Sequence, residues 1–595
     1  MKYPIETIRH TLAHVMAAAV QQMYPDTKFG IGPIVENGFY YDFDSTHKFT
    51  ETDFVEIEKR MVAIIDSGIL VDHLYISADE AIKQYKDNGQ DYKVEILEEI
   101  KKGERQAITE ADIEQQKDGQ ISFYKVGQFM DLCKGPHVEK TNDLPKDGFK
   151  LTHVAGAYWR GEETNPMMQR LYAVAFETKK ELDEHIALIE EAKKRDHRKL
   201  GKQLDLFTFS DLIGSGLPLY TPRGALIRRL LNDYIEELQT KAGYTQVWTP
   251  QIAKAELFKV SGHYDKYKDS MFRVDSNYSE EEFYLKPMNC PQHTQIYASQ
   301  MRSYRDLPLR YSDFAMLYRD EKPGELSGLS RVRSFSQDDC HIFCREDQVD
   351  YEIDIALQMT KKVMAVFGLK YKYRLSTRDP LHPEKYLGDP ATWDKVEKWA
   401  VDIMKRNEIE YFDGPGEAAF YAPKMDLIAT DALGREWQLS TVQIDYVMPE
   451  RFKLTYVDND GKEKHPIMLH RAIIGSPERF IMILLGHYAG ALPAWLSPIQ
   501  ATIIPISEKQ KDFAQKVCDD LIAAGIRAEI SDANDTLGKR IREAEMQKVP
   551  YLLVVGDKEI AAEAVAVRQR GKGDIGQVKI AEFTKQITEE IKNKI

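Results

Sequence analysis

The pattern of this 595-residue chain changes twice along its length, and a single continuous core cannot accommodate both changes. Between Lys179 and Lys202 the sequence is rich in charge and free of proline, with Leu182, Ile186 and Ile189 at helical spacing. That combination predicts a solvated helix connecting two globular parts. The second change falls at Trp495–Ser507, where Pro498 and Pro505 bracket an apolar, strand-like run. Beyond it, strands are predicted at 500–504, 527–531 and 551–555, with helices at 508–524 and 537–548 between them. Alternation of this kind points to a small α/β domain with a mixed or parallel sheet. The segment between the two changes has aromatic and β-branched runs at 244–248, 309–319 and 331–343, which predict an α+β domain around an antiparallel sheet. At about 100–200 residues per domain, the length allows roughly three to five domains.

Composition narrows the class. With 43% hydrophobic residues the chain can bury several cores, which excludes global disorder. Its 81 basic and 95 acidic residues leave a net charge of −14, which taken alone argues against a generic polyanion binder. Five cysteines are too few for a disulfide scaffold and suit reduced thiols or metal ligands in a cytoplasm. The first twenty residues hold an apolar run broken by Arg9, His10 and His14, so an amphipathic helix is expected rather than a signal peptide. With no run of about 18 apolar residues, no membrane span is expected.

Three groups of residues could carry chemistry. His10 and His14 stand four apart on one helix face, and Cys133 and His137 follow in Asp131-Leu-Cys-Lys-Gly-Pro-His137, where Pro136 implies a loop. The HxxxH alone fits incidental histidines equally well, and without a glutamate after His10 it is no zinc-protease motif. Cys290, His341 and His470, from three separate segments, form a thiolate and two imidazoles, the donor set of an open catalytic zinc site. Spacing alone also permits a buried cysteine and satisfied core histidines. Finally, Arg319, Arg331 and Arg333 flank a glycine-containing loop, and Arg479 opens an apolar helix in Gly-Ser-Pro-Glu-Arg-Phe. Guanidinium groups suit phosphate oxygens, although each arginine singly fits a surface ion pair. No P-loop and no dinucleotide-binding glycine motif is present.

Together these strings resemble one family. YRDE…SRVRSFSQDDCHIF, GSPERF and the proline-ended stretch 244–250 are similar to motifs 2, 3 and 1 of class II aminoacyl-tRNA synthetases. KPMNCPQH, QDDCHIF, AFYAPK, TVQIDY and MLHRAIIGS resemble the threonyl-tRNA synthetases, and HTLAH with DLCKGPH resembles their editing domain. The resemblance covers nearly the whole chain. It implies an α+β multidomain architecture: an editing domain at 1–177, a linker helix at 178–202, a class II catalytic domain at 203–497 and an α/β anticodon-binding domain at 498–595.

The implied activity is ATP-dependent ligation of L-threonine to tRNA(Thr), with hydrolysis of mischarged seryl-tRNA(Thr). A non-catalytic, RNA-binding paralogue is the alternative, disfavoured because Arg319 and Arg479 are both present. By resemblance Arg319 and Arg479 hold ATP phosphates with Mg²⁺, Arg331 adds charge there, Glu321 positions the adenine, and Lys424 stands near the adenylate. Cys290, His341 and His470 match the family's zinc ligands, one Zn²⁺ per chain. Met288, Gln337, Asp339, Tyr421, Gln438 and Gln443 match substrate-binding positions. His10, His14, Lys93, Asp131, Cys133 and His137 form the implied editing site, which in the family works without a metal. Asn534, Glu559 and Arg568 fall on anticodon-reading positions, and motif 1 implies a homodimer. The acidic sum therefore hides local basic stretches such as 193–202 and 568–572, and these local fields decide tRNA binding.

Several positions depart from the family pattern. The chain starts at the editing helix, where most bacterial members first have a small ubiquitin-like domain. About a dozen extra residues are expected between Lys93 and Asp131. Ala422 and Ser440 replace glycines and are expected to put side chains near the adenylate, and Gln292 replaces a glycine in the zinc-ligand loop. Cys340 is expected to be an extra thiol beside the zinc.

Overall fold

The computed structural model describes residues 2–102 and 120–594, and its chain divides into two compact units with the boundary between Glu190 and Glu191. The extra residues expected before Asp131 fall on 103–119, outside the described residues.

In the first unit helix α1 (Ile5–Met23) is buried from Thr7 to Val20 except at His10. The expected amphipathic helix is thus an enveloped one, because Ala13, Ala17, Ala18 and Ala19 let neighbours approach its whole circumference. Strand β1 (Gly38–Asp44) places Phe39, Tyr41 and Phe43 beneath it, and α2 (Phe54–Asp66) packs alongside. A second layer combines β2 (Val71–Ser77), helices α3 (Ala78–Asp87) and α4 (Asp91–Lys102), and the hairpin β3 (Gln120–Val126)–β4 (Phe129–Leu132) around Leu97, Ile121 and Phe123. Strands β5 (Phe149–Tyr158) and β6 (Met167–Ala175) complete the first sheet, with β6 antiparallel to both β1 and β5.

The connecting stretch is two helices rather than one: α5 (Lys179–Lys194) and α6 (His197–Gln203). The break has a local cause, since Asp196 leaves helical geometry and caps α6 by accepting from Arg198 N.

The second unit is built on an eight-stranded sheet behind α7 (Pro222–Lys241). Its strands are β7 (Thr245–Gln246), β8 (Leu309–Tyr318), β9 (Ser334–Cys344), β10 (Lys370–Thr377), β11 (Tyr411–Pro415), β12 (Lys424–Thr430), β13 (Glu436–Asp445) and β14 (Ile467–Ala472). They lie in the order β7-β8-β9-β14-β13-β12-β10-β11. Every pairing is antiparallel except the outermost one at each edge. Helices α8 (Cys290–Ala298), α9 (Val349–Phe367) and α10 (Pro477–His487) flank it. Ser476 caps α10 and Pro477 occupies its first turn, so GSPERF starts a helix as expected.

The C-terminal part of this unit is a five-stranded mixed sheet. Strand β15 (Ala501–Pro505) lies between β16 (Ala528–Ile530) and β17 (Tyr551–Val555) and is parallel to both. The antiparallel strands β18 (Ala564–Gln569) and β19 (Gly573–Lys579) follow. Helices α11 (Lys511–Ala523) and α12 (Leu537–Met546) match the alternating pattern, except that a 3-10 turn at Glu508–Gln510 precedes α11. Among the described residues no helix is long and apolar enough to cross a membrane. Leu553, wholly buried in the C-terminal core, tests this packing: Leu553→Ala is expected to destabilise that part by about 2–5 kcal/mol, seen as an earlier calorimetric transition.

Candidate functional sites

The first site lies where α1 meets the loop after β4. One turn of helix separates His10 from His14, and the loop brings Cys133 and His137 against them. Cys133 Sγ lies 3.1 Å from both His10 Nε2 and His137 Nε2, and the donor atoms of the four residues fall within 4.8 Å of one another. Thr11 fills the place a metalloprotease glutamate would take, with its Oγ1 3.1 Å from His137 Nδ1. Burial, then the neighbouring imidazoles and, for His14, Lys93, push His14 and His137 well below the usual imidazole range, so both are neutral bases.

Lys93 and Asp131 form a buried ion pair beside this cluster. The second Asp131 oxygen accepts from the Tyr41 hydroxyl, and Lys93 Nζ donates to the same hydroxyl at 3.3 Å. The six residues expected here are therefore brought together although they run from position 10 to position 137. Tyr41 was not anticipated. It sits in an ordinary alternating strand, and nothing in its sequence neighbourhood distinguishes it from a core aromatic.

The second site lies on the cleft face of the eight-stranded sheet. His341 on β9 stands opposite His470 on β14, with His341 Nε2 3.0 Å from His470 Nδ1. Cys290, at the start of α8, brings its Sγ into the same group, and the three donor atoms lie within 4.8 Å of one another. Asp445 lies 2.8 Å from His470 Nε2 and so fixes which ring nitrogen faces the other donors. On the far side of His341, His293 Nδ1 lies 2.8 Å from His341 Nδ1, and Asn289 Nδ2 lies 2.7 Å from His293 Nε2. A thiol and two oriented imidazoles fit zinc with an open fourth position. Burial, then Asp339 and Asp445, push the Cys290 thiol well above its ordinary range, and a cation held by this donor set would favour the thiolate.

A cavity of about 110 Å³ opens above these donors, lined also by Met288, Gln337, Asp339, Tyr421 and Gln443. It is far smaller than the roughly 300–1,000 Å³ of a drug-sized pocket and suits a small amino acid. Burial raises Asp339 to about 6, and the Tyr421 ring packs 4.8 Å from that of His470. Arg319 also lines the cavity, its buried Nε without a hydrogen-bond partner among the described residues. Arg479 is depressed by burial and by Arg319 and Arg331, so three guanidinium groups share one small region that would favour an anion. Arg331 Nε donates to Glu321 Oε2 at 2.9 Å.

The remaining expected residues are placed less centrally. Lys424 on β12 and Gln438 on β13 lie further along the sheet, around buried Asp426, at 3.4 and 2.9 Å. Asn534 and Glu559 follow the carboxyl ends of β16 and β17, whereas Arg568 lies back along β18, opposite Leu552, with its guanidinium 3.7 Å from Glu545.

Two departures behave differently from expectation. A bulge in β13 turns Ser440 to the core side, where its hydroxyl donates to Ala472 O at 2.8 Å and faces Thr360 of α9, away from the cleft. Cys340 alternates to the opposite face from His341, packed in the core, and so is no thiol beside the metal donors. Ala422 is fully buried in the apolar cluster with Phe420 and Tyr421, and Gln292 donates to Pro250 O at 2.9 Å. His263, 3.7 Å from Cys290 Sγ, and His293 and Asp445 were not singled out from sequence, although the last two lie inside the quoted strings KPMNCPQH and TVQIDY.

The chain is also similar to known proteins. Residues 272–488 match the tRNA synthetase class II core domain (G, H, P, S and T), which defines the class of the central sheet and its arginine-lined cleft. Residues 121–172 match the threonyl and alanyl tRNA synthetase second additional domain, and residues 500–590 an anticodon binding domain. The threonine–tRNA ligase of Thermus thermophilus is 47% identical over 591 residues, covering 97% of this chain and 87% of the relative. That of Chloroherpeton thalassium is 46% identical, covering 98% and 87%. Among solved structures, the RNA binding domain of threonyl-tRNA synthetase from Cryptosporidium parvum aligns with a TM-score of 0.64 at 36% identity, over 66% of this chain and 98% of that one. The chain belongs to the threonine–tRNA ligase family.

The buried Lys93–Asp131 pair can be tested directly. Lys93→Met leaves a carboxylate buried without its cation and is expected to cost about 3–5 kcal/mol in thermal or urea unfolding. Adding Asp131→Asn removes the stranded charge and should recover much of that loss.

Proposed function

We propose that this chain ligates L-threonine to tRNA(Thr) through threonyl-adenylate and hydrolyses seryl-tRNA(Thr) formed in error. The observation that carries this reading is the convergence of Cys290, His341 and His470 beneath a small cavity rimmed by Asp339, Tyr421 and Arg319. In the first step a threonine carboxylate oxygen bonds to the α-phosphorus of ATP and pyrophosphate leaves. In the second a terminal ribose hydroxyl of the tRNA bonds to the threonyl carbonyl and AMP leaves. Arg319, Arg331 and Arg479 would neutralise the charge that develops on the phosphates, assisted by Mg²⁺, while Glu321 orients the adenine and Lys424, Gln438 and Gln443 flank the adenylate.

Zn²⁺ held by Cys290, His341 and His470 would supply a Lewis-acid position for the threonine amino and hydroxyl groups. Asp339 accepts the hydroxyl proton, and Tyr421, Met288 and Gln337 close the pocket. Selectivity follows from this arrangement. An apolar pocket separates threonine from isosteric valine by only about 10²-fold, whereas a site requiring the hydroxyl rejects valine far more strongly. Serine keeps the hydroxyl, and its missing methyl is worth only about 1–3 kcal/mol, so a second, hydrolytic site is required. The cluster of His10, His14, Cys133 and His137 with Lys93 and Asp131 is suited to that task without a metal, with His14 and His137 as neutral bases beside the Lys93–Asp131 pair, able to hold a water and an ester carbonyl.

On this reading the editing domain comprises 1–177, the linker 178–202, the catalytic domain 203–497 and the anticodon-binding domain 498–595, the last reading tRNA through Asn534, Glu559 and Arg568. The enzyme is read as cytoplasmic and as a homodimer, the dimer being supported by Trp248 within motif 1 and Ile252 just beyond it, which are 75% and 46% exposed.

Threonine-dependent pyrophosphate exchange is the direct test, and exchange supported by serine or proline but not by threonine would sink the specificity claim. The double variant His10→Ala/His14→Ala should charge threonine normally and accumulate seryl-tRNA. Asp445→Asn keeps the bonds from Val447 N and Met448 N but weakens the hold on His470. It is expected to lower zinc affinity about 10–100-fold, read by chelator competition.

A further inference from the structure

The hairpin joining β8 to β9 carries Glu321 and Arg331, and its tip folds back on itself: Ser327 N donates to Arg331 O at 3.2 Å and Ser330 N to Ser327 O at 2.9 Å. The tip is held from outside at two points. Arg479 Nε donates to Ser330 O at 3.2 Å, so one arginine of the cleft also grips the loop. The other hold comes from the connecting segment, where Leu329 N donates to Nε2 of His197 at 3.1 Å. His197 is the first residue of α6, immediately beyond the break between the two connecting helices.

The contact is closely fitted. Gly328 has φ +49°, and a Cβ there would lie 2.1 Å from His197 Nε2. Only a neutral imidazole can accept at Nε2, and burial keeps His197 at about 4, so the acceptor persists at neutral pH. The base of the contact is fixed as well. Arg195 donates to Gly486 O and His487 O, both at 2.8 Å, at the carboxyl end of α10, the helix that carries Arg479. Leu200 of α6 is buried in the catalytic core. The helix break thus grips both the end of α10 and the hairpin tip.

We propose that His197, outside all the motifs, is a positioning residue of the nucleotide site, holding the hairpin tip so that Glu321 and Arg331 meet ATP. The inference rests on the reading above that this hairpin binds ATP. It is tested with full-length His197→Ala and His197→Gln, the latter placing an amide oxygen where Nε2 lies. The measurements are threonine-dependent pyrophosphate exchange at varied ATP and at varied threonine, Mg-ATP binding by calorimetry, and the melting temperature. His197→Ala should raise the KM for ATP and the Kd for Mg-ATP about tenfold, the scale of one lost hydrogen bond. The KM for threonine should stay unchanged, the melting temperature should fall by only a few degrees so that the protein is folded at the assay temperature, and His197→Gln should restore most of the ATP affinity. Unchanged ATP constants overturn the inference, as does an equal rise in both KM values or a failure of glutamine to restore. A wild-type protein that binds Mg-ATP but exchanges only with another amino acid would instead sink the proposed function, and the ATP constants would still decide the role of His197.

Discussion

The register of β9 against β14 is the constraint on which the catalytic half depends. With His341 opposite His470, alternation puts Gln337, Asp339 and His341 on the cleft face and Asp338, Cys340 and Ile342 on the core face. A slip of β9 by one residue would turn His341 and Asp339 into the core and bring Cys340 and Asp338 to the cleft. The register is held on both sides, since β9 pairs with β8 along ten residues and β14 pairs with β13 over five. Behind the sheet, Asp338 Oδ2 accepts from Ile473 N at 2.7 Å, locking the start of the segment that leads to Arg479. One antiparallel ladder therefore sets the spacing between His341, His470 and the segment that leads to Arg479.

Both sites place ionisable groups where burial is costly and offset that cost with partners. Lys93, Asp131 and Tyr41 satisfy one another in the first unit, and Asp445 orients His470 in the second. Such groups contribute little to net stability, because desolvation consumes most of the attraction. What they provide is fixed orientation: a carboxylate, an ammonium or an imidazole that cannot rotate away from where a reacting group must sit. The connecting segment belongs to the same scheme. It is expected from its composition to be a solvated spacer, yet its break at Arg195–His197 grips the catalytic unit, while most of α5 is solvated as its charge pattern implies.

Much of this was legible in the residues themselves. The α/β pattern after Trp495 corresponds to β15, β16 and β17 with their helices, and it is clearest at β15 and β17, because parallel strands buried on both faces read as continuous apolar runs, whereas the edge strand β16 is only partly buried. The strings HTLAH, DLCKGPH, KPMNCPQH, QDDCHIF and MLHRAIIGS contain the donors that the fold brings together, since reactive side chains at fixed spacing leave a mark on the sequence. Tyr41 and His263 left no such mark. Each is an ordinary residue in its own segment and acquires its partners, Asp131 and Cys290, from segments 90 and 27 positions away.

Which chemical groups are available, and in what order, is written in the residues: the histidines and cysteines, the arginines around a glycine-containing hairpin, and the change to an α/β pattern at the end. Tertiary structure alone decided which face each group occupies. Ser440 and Cys340 sit beside functional residues in the chain yet point into the core, one through a bulge and the other through strand alternation. His197, which carries no motif, reaches Leu329 of the hairpin 132 residues away. The physical reason is that sequence fixes local propensity and side-chain chemistry, whereas register, bulges and helix breaks are settled only when distant segments pack.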